Sequence, residues 1–258
     1  MKRVLVTGAS GQLGLSLQDI QKDFQNLELV FTNKNQLDIT KETQVKKAFE
    51  SGNFDYCINC AAYTNVDQAE KSPQIAFKVN AEAVKNLALA CKNNDVIMIH
   101  ISTDYVFDGE KKNPYTVNDQ PNPINEYGKS KWEGEKHIKE ILKFFFIVRT
   151  SWLYHKVHGR NFYKTILEKA KKGEAISVTD AQVGCPTNAY NLAQFILGMI
   201  NLEDSTYGIS HFTDGEAMTW YTFSKKIIDD NGLMASANIV RDNNYRSFAR
   251  RPKNSVII

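Results

Sequence analysis

The sequence predicts an α/β protein built on a doubly wound parallel sheet, followed by a smaller second domain. Three observations carry this. Short, continuously apolar stretches alternate with stretches of helical periodicity from the first residue to about Thr150, and strands apolar on both faces belong to a parallel sheet covered by helices on both sides. The first apolar stretch runs straight into a glycine-rich turn, TGASGQLG at residues 7–14. Beyond Thr150 the elements become shorter and more irregular.

The first half reads in order. KRVLVTG is a strand ending in the glycine turn, QLGLSLQDIQKDF a helix and LELVFT a second strand. KETQVKKAFES is a helix, DYCINCAA a third strand, and PQIAFKVNAEAVKNLALACKNN one long helix. VIMIHIST is the fourth strand, EYGKSKWEGEKHIKEIL a helix and KFFFIVRT the fifth strand. The second half contains Gly-Cys-Pro at 184–186, a helix near Ala189 to Ile200 and a strand at YGISHF. TWYTFSKKIIDDNG is a helix capped by Thr219 and closed at Gly232. The expected division is therefore residues 1–150 for a dinucleotide-binding unit and 151–258 for a unit that partly returns to the sheet and closes over a ligand.

Composition narrows the function. Of 258 residues, 42% are hydrophobic and 24% charged, as in ordinary folded proteins. A net charge of +3 gives no case for nucleic acid. No apolar run approaches the roughly 20 residues that span a bilayer, and Val4 to Val6 before a glycine turn reads as a buried strand rather than a signal peptide. The expectation is a cytoplasmic protein, monomer or homodimer, with no nucleic-acid or membrane partner. Cys57 and Cys60 form a CxxC inside a strand, where side chains three apart face opposite sides, so they read as buried apolar residues like Cys91 and Cys185. His155 and His158 lack Cys or carboxylate neighbours in sequence. No metal site is expected.

The glycines at 8, 11 and 14 sit between a strand and a helix. There Gly8 permits the tight turn, Gly11 lets backbone approach a pyrophosphate, and Gly14 lets helix pack on sheet; Ser10, Gln12 and Leu13 complete the turn. This context predicts a dinucleotide. At the end of the second strand, where an acid would hold the ribose of NAD, the chain has Thr32-Asn33-Lys34-Asn35. Lys34 favours the 2′-phosphate of NADPH, with NADH possible; the other reading leaves Lys34 as solvated surface.

Ser102, Thr103 and Asp104 follow the fourth strand, at the carboxyl edge where parallel sheets bind ligands. Tyr127 and Lys131 stand four apart at the start of the next helix, on one face. Reducing a ketone needs a hydride at carbon and a proton at oxygen. A free phenol, with pKa near 10, holds its proton tightly, and a neighbouring ammonium would lower that value. Thr103 can position the carbonyl oxygen, Lys131 can also hold the nicotinamide ribose by hydrogen bonds, and Ser102, Tyr127 and Lys131 are expected to border the cofactor. Thr103, Tyr127 and Lys131 are the candidate catalytic residues. Arg246, Arg250 and Arg251 near the end can neutralise a diphosphate or form a solvated basic tail.

These motifs, with LDIT, AAYTNVDQAE, VNAEAVKNLA, RTSWLY, GCPT and ARRP, resemble the extended short-chain dehydrogenase/reductases over nearly the whole chain. Within that group they resemble the nucleotide-sugar 4-ketoreductases. The resemblance implies a Rossmann-type fold and a nucleotide-sugar substrate. It makes Tyr127 the proton donor, Lys131 its partner and Thr103 the hydroxyl of the triad. It places Asp38 and Ile39 at the adenine, Ala61, Ala62 and Tyr63 along the cofactor, and Thr103, Asp104, Trp152 and Arg251 at the substrate. Asn80 matches a family asparagine, although a plain helix position explains it equally. Family members run on past the closing Arg-Pro, whereas this chain stops at Ile258, which leaves closure of the second unit open. A nucleotide-sugar epimerase and a non-catalytic reductase-like subunit are the competing expectations.

Overall fold

Six parallel strands form the central sheet of the computed structural model, which describes residues 1–234 and 237–258. They are β1 (Lys2–Thr7), β2 (Leu27–Thr32), β3 (Tyr56–Asn59), β4 (Ile97–Thr103), β5 (Phe145–Thr150) and β10 (Gly208–His211), in the order β10-β5-β4-β3-β1-β2. The chain leaves β1 for β2 on one side and then crosses to β3 on the other. This reversal opens a crevice between β1 and β3 at their carboxyl ends, where such sheets bind ligands.

Alternation along the strands builds two cores. Val4, Val6 and Ile58 face one side, against α1 (Gln12–Ile20) and α8 (Ala189–Asn201). Leu5, Cys57 and Met98 face the other, against α2 (Glu42–Gly52), α5 (Ala83–Asn93) and α6 (Glu126–Ile141). The long helix expected from residue 73 is interrupted. After the short α3 (Val66–Lys71), α4 (Pro73–Phe77) passes through a π-helical turn at 78–82 before α5. Gly134 of α6 lies directly over the carbonyl of Asn80 in that turn, and a side chain there would collide with it. The wider turn and the bare glycine let the two helices meet.

The second half divides in space. Helix α8 packs on α1, and β10 pairs in register with β5, Ile209 opposite Ile147. What remains forms a separate small core of Tyr163, Ile166, Ile176, Phe223 and Ile227. It is built from α7 (Phe162–Lys171), α9 (Trp220–Asp230) and the parallel pair β7 (Ala175–Val178) and β12 (Asn238–Arg241). Short pairs link it: β6 (Leu153–Tyr154) with β9 (Thr187–Asn188), and β8 (Val183–Gly184) with β11 (Met218–Thr219). Thr219 and Thr222 form a capping box on α9, and Gly232 follows its end at φ +68°. Among the described residues no helix is long and apolar enough to cross a membrane.

Candidate active site

The crevice holds two adjoining cavities of about 560 and 360 Å³, with Ser10, Gly11, Cys60 and Ala62 in the walls of both. The smaller lies over β2 and is bordered by Gly8, Asn33, Lys34, Asp38, Ile39, Ala61, Ala62 and Tyr63. The larger takes in Gln12, Leu13, Gly14, Ser102, Thr103, Asp104, Tyr127, Lys131 and Trp152. The residues expected at the cofactor, the reacting carbonyl and the sugar border one continuous cleft, whereas Asn80 and the candidate arginines Arg246, Arg250 and Arg251 line neither cavity.

The glycine turn fits a dinucleotide. Gly8 sits at φ +68°, and a Cβ there would come within 2.6 Å of the Ala61 backbone nitrogen. Only glycine allows β1 and β3 to approach this closely. Gly11 caps α1 without any side-chain hydrogen bond, so the first N–H groups of the helix face the cleft. In the smaller cavity the Asp38 carboxylate accepts from Thr40 Oγ1 at 2.7 Å and Thr40 N at 3.0 Å, which, with Lys34 nearby, holds it below the usual range. Its Oδ1 is thereby turned to its own loop. Lys34 remains beside it as the cation in this wall.

Thr103 ends β4 and caps the following turn, accepting from Tyr105 N at 3.2 Å. Its hydroxyl donates to Asp104 Oδ1 at 3.0 Å, and Ser151 Oγ donates to Asp104 Oδ2 at 3.0 Å. Burial pushes the Asp104 carboxyl up to about 6, against the opposing hydrogen bonds of Ser255, Ser151 and Thr103. Tyr127 enters from α6, capped by Asn125, which accepts from Gly128 N at 2.7 Å. The phenol is pushed up to about 12, chiefly by burial and further by Asp104, while Thr103 lowers it.

Lys131 does not play the expected part of depressing the phenol. Its Nζ donates to Ile101 O at 2.6 Å and lies 3.2 Å from His100 Nε2, and burial lowers it to about 8. Loss of water around each side chain is the largest cause of both shifts. His100 closes a buried chain that sequence reasoning missed. Thr7 Oγ1 and Ala61 N both donate to Asn59 Oδ1, so the Asn59 amide nitrogen is the donor to His100 Nδ1, at 3.0 Å. The imidazole proton then stays on Nε2, facing Lys131. Burial and Lys131 hold His100 far below its usual range, in the neutral form. An N–H aimed at that amine favours its uncharged state, the direction burial also takes it.

Other residues hold the site together. Asn80, fully buried, accepts from Tyr63 N at 2.8 Å and donates to Tyr63 O and Ser130 Oγ at 2.9 and 3.0 Å. Ser130 in turn donates to Tyr127 O at 2.7 Å. Trp152 stands at φ +46°, a strained backbone for a large side chain, with its indole stacked on Trp220 at 3.4 Å and 2°. Trp220, Phe162, Phe223 and Cys60 join the larger cavity and were not expected there.

Two expectations need correction. Arg251 borders neither cavity; it pairs with Asp67 Oδ2 at 3.1 Å and donates to the Tyr245 hydroxyl at 2.8 Å. The aspartate of AAYTNVDQAE captured it. His158 does have a carboxylate neighbour: its Nε2 is 2.7 Å from Asp19 Oδ2, and His155 stacks on it. Asp19, 139 residues earlier, reaches His158 only in the fold. The three side chains cluster as metal ligands can. However, His155 Nδ1 accepts from Val157 N and His158 N at 3.0 and 2.8 Å, which keeps its proton on Nε2 and leaves no lone pair there for a metal. The four cysteines are free; Cys57 and Cys60 pack into opposite cores.

Fold and cleft together define the class, a Rossmann-type oxidoreductase of the extended short-chain dehydrogenase/reductase group. Within it, the chain belongs to the family described as RmlD substrate binding domain, which matches residues 1–258. It is 36% identical to dTDP-4-dehydrorhamnose reductase of Aggregatibacter actinomycetemcomitans, over 100% of this chain and 90% of that protein. A probable dTDP-4,6-dihydroxy-2-methyloxan-3-one 4-ketoreductase of Streptomyces antibioticus is 34% identical, over 99% and 86%. A crystal structure of dTDP-4-dehydrorhamnose reductase from Bacillus anthracis in complex with NADP superimposes with a TM-score of 0.95. It is 39% identical and covers 100% of this chain and 91% of that one.

Proposed function

We propose that this protein is a dTDP-4-dehydrorhamnose reductase, reducing the C4 ketone of dTDP-4-dehydro-β-L-rhamnose to dTDP-L-rhamnose for cell-surface polysaccharide, in the cytoplasm. The observation that carries this reading is the convergence of Thr103, Tyr127 and Lys131 in a cavity continuous with the glycine-loop cleft. NADPH, when bound, supplies the hydride. Gly8 to Gly14 cradle its pyrophosphate, Asn33 and Lys34 receive the 2′-phosphate, and Asp38, Ile39, Ala61, Ala62 and Tyr63 border the adenine end.

Tyr127 donates its proton to the ketone oxygen. A phenol pushed up to about 12 stays protonated at neutral pH, which is the form that reduction consumes. Lys131, in the wall of the same cavity, holds the nicotinamide ribose by hydrogen bonds, and His100 fixes where the amine sits. The Thr103 hydroxyl orients the carbonyl; Asp104 and Trp152 hold the sugar. Nothing here needs Arg251 in contact with substrate.

A second reading, reduction of a different dTDP-4-keto sugar, is favoured by the 34% identity to the S. antibioticus relative. One experiment addresses both: NADPH absorbance is followed with a panel of dTDP-4-keto sugars. Oxidation fastest with the rhamnose precursor supports the first reading. Preference for another sugar supports the second, and an epimerase would interconvert sugars without consuming NADPH at all.

A further inference from the structure

Residues 155–161, HKVHGRN, strap the second unit onto α1, and of the two strap cations without a partner among the described residues, Lys156 and Arg160, it is Arg160 that borders the cleft. Arg160 is exposed, borders the larger cavity beside Ser10, Gly11 and Gln12, and makes no hydrogen bond or ion pair among the described residues. Its neighbours on both sides are fixed. His158 pairs with Asp19, and Asn161 Nδ2 donates to Gln12 Oε1 at 2.7 Å, His155 O at 2.8 Å and His158 O at 3.2 Å. Gly159 lies between at φ +68°, where a Cβ would come within 2.6 Å of Gln12 Cγ. A surface arginine on a loose loop is ordinary. One held this way on a strap pressed against the glycine turn is placed.

The turn beneath it supplies no charged side chain to a phosphate. Residues 7–14 contain no Lys or Arg, so backbone N–H groups and the α1 dipole are the positive features there. Both nucleotides of the proposed reaction carry a diphosphate, and a guanidinium fork matches phosphate oxygens bidentately. Resting on that reaction, we infer that Arg160 is a diphosphate-binding residue, supplied by the second unit across the mouth of the cleft.

The test measures binding alone, by titration calorimetry of the full chain and of Arg160→Gln with NADPH, with dTDP, and with 2′-AMP, which has no diphosphate. Expected is a loss on the order of tenfold for a diphosphate probe, one charge-assisted contact at an exposed position, with 2′-AMP held within about twofold. Arg160→Lys should recover part of the loss, and high salt should shrink it. Loss confined to NADPH assigns the cofactor's diphosphate; loss confined to dTDP assigns the substrate's. Equal binding of both by Arg160→Gln overturns the assignment. Because turnover is not measured, a chain that binds both nucleotides yet reduces no keto sugar counts against the proposed reaction and not against Arg160.

Discussion

Asp104 and Tyr127 show how burial sets chemistry one residue at a time. Tyr127→Phe should cut turnover by about 10²–10⁴, the usual worth of a positioned acid, while calorimetry finds NADPH affinity nearly unchanged. The same variant tests whether the hydroxyl at the start of α6 is the donor at all. Asp104 allows a separate check. Its folded value, about 6, lies above the ordinary 3.8, so the folded chain binds this proton more tightly. The resulting stability is fully present below about pH 4 and disappears as pH rises through 6. Between those limits, chemical denaturation should show the parent losing about 2–3 kcal/mol relative to Asp104→Asn. A flat difference would mean that the folded carboxyl is not raised above its ordinary value. Tyr127, Lys131 and Thr103 were legible because each lies in a short local motif. His100 was not, since an imidazole inside an apolar strand gives no sign of the asparagine and lysine it meets from other elements.

At the scale of elements, the π-helical turn joins the cofactor wall to the catalytic helix. Asn80 satisfies the Tyr63 backbone on one side and Ser130 on the other, and Ser130 accepts this while bonding the Tyr127 carbonyl. Removing that amide leaves buried donors and acceptors unpaired at about 1–3 kcal/mol for each group. Asn80→Ala should therefore lower the melting temperature by several degrees and also raise the KM for NADPH, because Tyr63 borders its cavity. Unchanged KM with a lowered melting point would make Asn80 purely structural. The alternation of strands and helices, and the glycine turn, could be read directly, since periodicity and turn chemistry are local. The interruption at 78–82 could not. It depends on Gly134, more than fifty residues later, coming to rest on the Asn80 carbonyl. In the same way α8 reads as part of the second unit until its apolar face meets α1.

For the whole molecule, the last residues decide whether the two units act as one. The terminal segment runs between them like a seam. Tyr115 N donates to Val256 O at 2.7 Å, and Ile258 N donates back to Tyr115 O at 2.9 Å, on the sheet side. Val183 N donates to Lys253 O at 2.7 Å, and Ser255 N donates to Val183 O at 2.8 Å, on the side of the second unit. His211 Nδ1 lies 3.0 Å from Ile258 O, and Ser255 also bonds the Asp104 carboxyl. Val256 and Ile257 are buried. Four backbone bonds at about 1 kcal/mol each and two buried aliphatic side chains at about 1.5–3 kcal/mol each contribute several kcal/mol. Deleting residues 253–258 should then lower the melting temperature by at least about 10 °C, since each kcal/mol moves a chain of this size by about 2–4 °C. The β1–β3 crevice lies elsewhere, so NADPH should still bind the surviving fold, while turnover falls because Asp104 and Gly184, which backs the Trp152 indole, lose their support. Calorimetry of the shortened chain with and without NADPH reads both effects. An unchanged melting temperature would show that the two units hold together without the seam.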